Sequence, residues 1–312
     1  MKRPKAAIPP GPGEVRPGEV RPEGRIPVTN APYPATQVVF LASLFCQTPL
    51  PRSRVDGDRF VRRNWCSWLH IEAGYQSAGG KIERQPVPYG MFARLWLVWM
   101  TTQVVRRHGT DVPLGPSVSF LLDQFGLPHD GRRSRMLLQQ LYALSGCRMD
   151  MGFGSPAFAG YPVEGLLTWE ACRGMNPAPG PRLRLAGDFA AELRRHAVPL
   201  DRNAWLQLRD SSLALDTYAW LAYRLQGVPP GGCFLSWEQL HFQFGQEYRG
   251  ADGVRLFRRT FLASLSRVRQ AYREAQVTPG DRGLQMYPSP PPIRLTSNPI
   301  SGMAGGRERV RP

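Results

Sequence analysis

Arginines on two predicted helices have the residue type and the spacing to bind phosphates and guanine edges. One of these helices is predicted from about residue 252 to 273. Its buried side is marked by apolar residues at helical spacing: Phe257, Phe261, Leu265, Val268 and Tyr272. At 100° per residue, Arg255 and Arg259 project to the opposite side, and Arg258 lies on the flank.

A second predicted helix repeats this pattern. Its buried side is formed by Leu137, Leu138, Leu141 and Leu144. Arg132, Arg135 and Gln139 share the outward side at i, i+3 and i+7. A solvated charged face would give the same pattern on one helix, so contact with DNA is favoured because both helices have it. The predicted DNA-binding residues are Arg132, Arg133, Arg135, Gln139, Arg249, Arg255, Arg258, Arg259 and Arg282.

The charge of the chain favours a polyanionic partner. The 312 residues include 40 Lys and Arg against 24 Asp and Glu, a formal net charge of +16. Lys2, Lys5 and Lys81 are the only lysines, so nearly all of the positive charge is arginine, whose planar fork suits phosphate and guanine. A GC-rich genome also enriches arginine together with Gly and Pro, so the position of the arginines is more informative than their number.

Catalytic chemistry finds little support in the residue types and their spacing. A rolling-circle nicking enzyme uses a tyrosine nucleophile and a metal held by two histidines one residue apart. No two of the five histidines are that close: His70, His108, His129, His196 and His241. Asp56 and Asp58 flank a glycine and are interpreted as a turn. The five cysteines form no Cys-x-x-Cys pair, which favours reduced thiols. We therefore predict no enzyme activity, no metal and no cofactor.

A repeated tripeptide defines the elements that position the arginines. Gln124-Phe125-Gly126 returns as Gln243-Phe244-Gly245. Before each copy lies an apolar helix, a short β-prone stretch and a helix that begins near Ser117 or Ser236. The glycine of each tripeptide is predicted to end that helix in the left-handed conformation, which residues with a Cβ rarely adopt. A third helix and a β-hairpin follow each copy. This order predicts a winged helix-turn-helix, whose third helix enters the DNA major groove.

The predicted fold class is α+β and mostly helical, with tandem winged helix-turn-helix domains and a small β-rich N-terminal cover. The first hairpin is predicted to pair strands near 147–151 and 166–170, and the second spans 275–288. The predicted domains are a disordered Pro/Gly/Arg arm at 1–34, a first winged-helix domain with its cover at 35–196, a second winged-helix domain at 197–292 and a disordered tail at 293–312.

The chain resembles the plasmid-encoded RepA-type replication initiator proteins over about residues 35 to 292. The resemblance is carried by the Phe120–Gly126 stretch, by Ser212–Leu221, by Ser236-Trp237 through Gly245, and by shorter motifs: Pro88-Tyr89-Gly90, Val198-Pro199-Leu200-Asp201 and Pro288-Ser289-Pro290-Pro291. It implies a bacterial cytoplasmic protein that binds double-stranded DNA repeats at a plasmid origin and promotes origin opening. It also implies contacts with host replication proteins, the initiator and the helicase, and offers no catalytic residues.

Two alternatives to replication initiation remain open at this point. A winged-helix transcriptional repressor or autoregulator would bind DNA through the same elements, and a nicking enzyme is less favoured by the histidine spacing. The duplicated unit is compatible with one chain that binds a long site and with a homodimer that binds half-sites. No stretch approaches the roughly 18 uninterrupted apolar residues of a membrane span, so no membrane partner is expected.

Overall fold

The structure, a computed structural model, describes residues 37–78, 81–172 and 180–293. The predicted arm at 1–34 and, apart from Ile293, the predicted tail at 293–312 lie outside the described residues. Within the described ranges the chain is an α+β protein, as predicted, in which small sheets alternate with helices.

The N-terminal segment is rich in β-strands, in agreement with the predicted β-rich cover. Its elements are β1 (Val38–Ala42), α1 (Ser43–Gln47), β2 (Arg59–Arg63), β3 (Ser67–Glu72), β4 (Tyr75–Ala78) and β5 (Lys81–Arg84). The strands β2 and β3 form one antiparallel pair, and β4 and β5 form another. The apolar strand β1 is nearly fully buried and pairs with a strand far along the chain, described below.

The first repeated unit begins with the apolar helix that the sequence predicts. Its elements are α2 (Gly90–Arg107), β6 (Asp111–Pro113), α3 (Val118–Gln124) and α4 (Gly131–Gly146). The Ser117 hydroxyl caps α3 by accepting the Phe120 N–H at 3.1 Å. Asp130 caps α4 by accepting the Arg133 N–H at 2.7 Å. Gly126 follows α3 with a φ of 60°, the left-handed conformation predicted for it.

The predicted first wing is wrong in its strand pairing. The strands after α4 are β7 (Arg148–Phe153), β8 (Ser155–Gly160) and β9 (Val163–Leu167), followed by α5 (Trp169–Cys172) and β10 (Arg182–Leu185). β7 lies in the sheet β2-β3-β7-β8, whereas β9 pairs with β10 in the sheet β6-β10-β9. A tight turn at Gly154, whose φ is 67°, folds β8 back onto β7, so β7 is not available to β9.

The segment that connects the two units includes a strand that pairs with β1. It consists of α6 (Gly187–Arg195), β11 (Ala197–Asp201) and α7 (Arg202–Leu208). β11 pairs antiparallel with β1, and Val38 lies opposite Asp201. Asp201 also caps α7 by accepting the N–H groups of Asn203 and Ala204. The β-rich N-terminal segment therefore contacts the start of the second unit as well as the first.

The second unit repeats the topology of the first. Its elements are α8 (Ser212–Arg224), a 3-10 turn (Leu225–Gly227), β12 (Cys233–Ser236), α9 (Trp237–Phe244), α10 (Gly253–Ala271), β13 (Val277–Pro279) and β14 (Gly283–Met286). Ser236 and Gln239 form a capping box at the start of α9. The sheet order β12-β14-β13 corresponds to β6-β10-β9, so each unit has one strand between its first two helices and an antiparallel strand pair after its third. In the first unit β7 and β8 precede that pair, and α5 lies between its two strands.

The phenylalanine of each Gln-Phe-Gly tripeptide has the same packing role. Phe125 packs edge-on against Trp96 of α2, with ring centroids 5.9 Å apart. Phe244 packs edge-on against Trp220 of α8 at 5.3 Å. In both units the tripeptide therefore fixes the second helix to the first through an aromatic pair.

The second glycine contradicts the predicted left-handed cap. Gly245 has a φ of −107°, a conformation open to any residue. Its requirement is steric, because a Cβ at this position would lie 2.5 Å from His241 Cδ2 and 2.9 Å from Phe257 Cδ2. Glycine here permits the close approach of α9 and α10, while Gly126 permits a turn.

Candidate nucleic-acid interface

The helix α10 has one apolar and one charged side, as its periodicity predicted. Phe257 and Phe261 on the inner side are fully buried and pack 5.4 Å apart between ring centroids. Arg255 and Arg259 on the outer side are exposed, and Arg258 is half-buried on the flank. Burial of the aromatic side therefore fixes which arginines face solvent.

The three arginines at the start of α10 differ in their partners. Arg255 Nε lies 3.0 Å from the carboxylate of Asp252, one turn earlier. Arg258 Nη2 lies 3.3 Å from the Asp281 carboxylate, and its guanidinium stacks 5.2 Å from the ring centroid of Trp237. Arg259 has no hydrogen-bond or ion-pair partner among the residues that the structure describes. Arg259 is thus the arginine of this group most available to an external ligand.

The turn between β13 and β14 is fixed to the start of α9. The indole N–H of Trp237 donates to the carbonyl oxygens of Gly280 at 3.1 Å and Asp281 at 3.0 Å. The backbone N–H of Trp237 donates to the Arg282 carbonyl at 3.1 Å. The exposed Arg282 side chain therefore projects from a turn that is held beside α9 and, through the Arg258–Asp281 pair, beside α10.

The helix α4 presents the predicted outward side in the first unit. Arg132, Arg135 and Gln139 are exposed, and Leu137 and Leu141 on the opposite side are fully buried. The Arg135 Nε–H donates to the Gly131 carbonyl one turn earlier at 3.2 Å, so this side chain lies along the helix. Within the described ranges, the side chains of Arg132 and Gln139 have no hydrogen-bond or ion-pair partner.

Arg133 forms an ion pair with Asp130, the residue that caps α4. The backbone N–H of Arg133 and then its guanidinium hydrogen-bond the Asp130 carboxylate, and together they hold its pKa below the ordinary value. Arg133 therefore has an internal partner at the helix start, as Arg255 does in the second unit.

The turn between α9 and α10 is anchored to the N-terminal segment. Glu247 in this turn lies 2.6 Å from Arg62 of β2 and 3.0 Å from Arg52. Burial opposes ionisation of Glu247, but the two guanidinium groups outweigh it and hold its pKa below the ordinary value. Arg249, two residues later, is exposed and has no partner in the described part of the chain. Sequence periodicity could not identify this anchor, because Glu247 is 185 residues from Arg62 and 195 residues from Arg52.

A buried ion pair joins the first helices of the two units. Arg94 of α2 contacts Asp216 of α8 through two bonds, Nε to Oδ1 at 2.6 Å and Nη2 to Oδ2 at 2.7 Å, and both side chains are about 5% exposed. The guanidinium also donates to the carbonyl oxygens of Leu50, Pro51 and Gly90. Sequence reasoning missed this pair, although a charged residue inside an apolar helix indicates a buried partner.

The surroundings of His241 and Cys147 favour a structural role over a catalytic one. His241 hydrogen-bonds the Tyr248 carbonyl at 2.9 Å and packs edge-on against Phe257. Burial raises the pKa of the Cys147 thiol to about 12, which opposes a nucleophilic role. Within the described ranges, no three His, Cys, Asp or Glu residues cluster as metal ligands would. No helix in those ranges has the length and apolarity to cross a membrane.

The comparison with protein families agrees with the resemblance seen in the sequence. The family model described as "Plasmid encoded RepA protein" matches residues 87–239. Residues 87–239 belong to the RepA family. This RepA segment contains all of the first unit and extends into α9 of the second. The resemblance inferred from the sequence, over 35 to 292, is broader than the matched segment on both sides.

Two solved structures that align with this chain are crystal structures of the protein RctB. A crystal structure of selenomethionine derivatives of its domains 2 and 3 aligns over 76% of this chain and 86% of that chain, with 12% identity and a TM-score of 0.48. A second crystal structure of RctB domains 2-3 aligns over 75% and 84%, with 12% identity and a TM-score of 0.43. No curated protein sequence matches this chain.

Proposed function

We propose that this RepA-family chain is a plasmid replication initiator that binds double-stranded DNA repeats at the plasmid origin. In this proposal each repeated unit is a winged helix-turn-helix, α4 and α10 are the recognition helices, and each hairpin is the wing. The observation that carries the proposal is the repeated topology with outward arginines on the third helix of both units. Family membership of residues 87–239 supports replication as the setting.

The arrangement of α10 supports its proposed role. Its N-terminal turns bear Arg255, Arg258 and Arg259 and lie beside the wing turn that carries Arg282. A duplex against this surface would meet the helix in the major groove and Arg282 at the adjacent backbone. In the first unit Arg132, Arg135 and Gln139 would occupy the equivalent position. Arg133 of the first unit and Arg249 of the second would contact phosphates.

The proposal extends to partners and excludes catalysis. The chain would act in the bacterial cytoplasm, recruit the host initiator and helicase to the opened origin, and bind as one chain or as a homodimer. It would use no cofactor and would not cleave DNA. Transcriptional repression of its own promoter is the alternative that uses the same surface.

The experiment that separates these functions is origin-dependent plasmid maintenance. A host strain without the native plasmid would supply the chain, and a test plasmid would carry the candidate origin as its only origin. The test plasmid is expected to persist only when the chain is present. The matched variant replaces Arg132 and Arg135 with Ala, both exposed, and should abolish maintenance without loss of the folded protein.

Three outcomes would count against the proposal. Failure of maintenance together with repression of a reporter would favour the repressor. Nicking of supercoiled origin DNA by pure protein with magnesium or manganese, lost on replacement of one tyrosine, would favour an enzyme. Maintenance that the Arg132/Arg135 double variant supports as well as the wild type would show that α4 does not contact the origin. The control, Arg195→Ala at the exposed end of α6, should maintain the plasmid normally.

A further inference from the structure

Carboxylates lie on the same surface as the arginines proposed to bind DNA. Asp252 lies 3.0 Å from Arg255, and Asp281 lies 3.3 Å from Arg258. The first unit repeats the device, because Asp130 precedes α4 and pairs with the arginine three residues later. A helix start and its arginines normally attract a phosphate. In both units a negative charge of the chain occupies that position instead.

Fold stability does not account for the two pairs of the second unit. Asp252 and Arg255 are 66% and 73% exposed, and the Asp281 side chain is fully exposed, so these pairs contribute little to stability. Asp252 makes no capping hydrogen bond to α10. Trp237 holds the wing turn through the carbonyl oxygens of Gly280 and Asp281, so the Asp281 carboxylate is not needed for that anchor.

We propose that Asp252 and Asp281 determine the specificity of this chain by weakening its binding to non-specific DNA, an inference that rests on the proposed function. In a non-specific complex every arginine is free to contact whichever phosphate is nearest, and the number of phosphates neutralised sets the affinity. Arg255 and Arg258 are held by carboxylates and are therefore less available for such phosphate contacts. Each carboxylate also repels the backbone, a repulsive element that acts against wrong partners.

The two ion pairs lower the affinity of the specific complex less than that of the non-specific complex. In the specific complex Arg259, which has no internal partner in the described residues, is available to a base edge, and such a contact does not depend on the phosphate count. An arginine restrained by a carboxylate is also already ordered, so a base contact from Arg255 or Arg258 costs less conformational entropy. The carboxylates therefore raise the ratio of specific to non-specific affinity.

The test compares Asp252→Asn, Asp281→Asn and the double variant with the wild type. Fluorescence anisotropy would give the Kd for a duplex of origin repeats and for a scrambled duplex of equal length, over a series of salt concentrations. The double variant should bind scrambled DNA about 10-fold tighter, with a salt slope steeper by about 1 to 2. Its Kd for origin repeats should change by less than about 3-fold, so the specificity ratio falls.

Asp188→Asn is the matched control, because it removes one exposed negative charge from α6, whose packing partners are α2, β1 and β8. It should leave the specificity ratio unchanged. An equal ratio in the wild type and the double variant would overturn the inference, as would weaker origin binding with no gain on scrambled DNA. In both cases the proposed function would still hold, provided that the wild type binds origin repeats more tightly than scrambled DNA. A wild-type chain that does not distinguish the two duplexes would overturn both.

Discussion

Arg259 and Arg273 are both exposed arginines of the α10 region, but they lie at different distances from the turn between β13 and β14. Arg259 follows Arg258, which pairs with Asp281 in that turn, so it lies near the contact proposed for the wing. Arg273 lies beyond the last residue of α10, nearly four turns away. A recognition helix inserts its N-terminal turns most deeply in the groove, so the two side chains should contribute differently.

Arg259→Ala should weaken binding to origin repeats by about 1–3 kcal/mol and relax the preference at one base pair, if Arg259 binds a guanine through two bonds. Arg273→Ala should weaken specific and non-specific binding alike, and by less. Neither change should alter the free energy of unfolding by more than about 0.5 kcal/mol, because both side chains are exposed. Anisotropy titrations with single-base variants of the repeat would measure both effects.

The assignment of Arg259 would be wrong if its Ala variant bound origin DNA with unchanged affinity and selectivity. It would also be wrong if the variant unfolded, since Arg259 would then belong to the structural network. Thermal unfolding of the two variants distinguishes these cases.

Helical periodicity predicted the exposure of these arginines but not their partners. The apolar stripe of α10 fixes which residues face solvent, and that part of the candidate surface could be derived from the sequence. The partner of Arg258 is 23 residues away, in the turn between β13 and β14, and the contact depends on how that hairpin packs against α10. Contacts that depend on tertiary packing have no local sequence signal.

At the scale of elements, the two tripeptide glycines have different tasks. Gly126 has a left-handed backbone, and a Cβ there would make only ordinary contacts, at 3.8 Å or more. Gly245 has an unstrained backbone, and a Cβ there would lie 2.9 Å from the His241 carbonyl oxygen. The first should respond to substitution through strain and the second through a clash between α9 and α10.

Gly245→Ala should therefore destabilise the protein by about 1–3 kcal/mol through overpacking, and Gly126→Ala by about 1–2 kcal/mol through the left-handed conformation. Gly131→Ala is the control, because the first residue of α4 has open space around its Cα and gains helix propensity. Urea unfolding would measure all three. A Gly245→Ala protein as stable as the wild type would contradict the steric interpretation.

The order of elements could be predicted from the sequence because caps, turns and apolar periods are local. Ser117 and Ser236 begin their helices as expected, and the second hairpin lies within the predicted span 275–288. The first hairpin was assigned wrongly because β7 and β9 have equally weak local patterns. The strand β7 pairs instead with β3, about 80 residues earlier, and this long-range pairing has no local sequence signal.

At the scale of the whole molecule, the two units share one hydrophobic core. The buried residues of α2 and α8 belong to the same cluster, which includes Trp96 and Trp220. The strand pair β1–β11, the Glu247 anchor and the Arg94–Asp216 pair cross between the units or connect them to the N-terminal segment. The proposed recognition helices are therefore held in one relative orientation by contacts that the domain boundary predicted at 196 and 197 did not anticipate.

Asp216→Asn tests whether the units unfold together. The change leaves the buried Arg94 without a countercharge, which should lower the free energy of unfolding by about 3–5 kcal/mol. If the core is one cooperative unit, hydrogen exchange measured by mass spectrometry should accelerate by the same factor in α2 and α8, because both helices exchange through one global opening. Asp210→Asn, an exposed change just before α8, should leave exchange unaltered. Acceleration confined to α8 would mean that the second unit opens alone and that the units are separate domains.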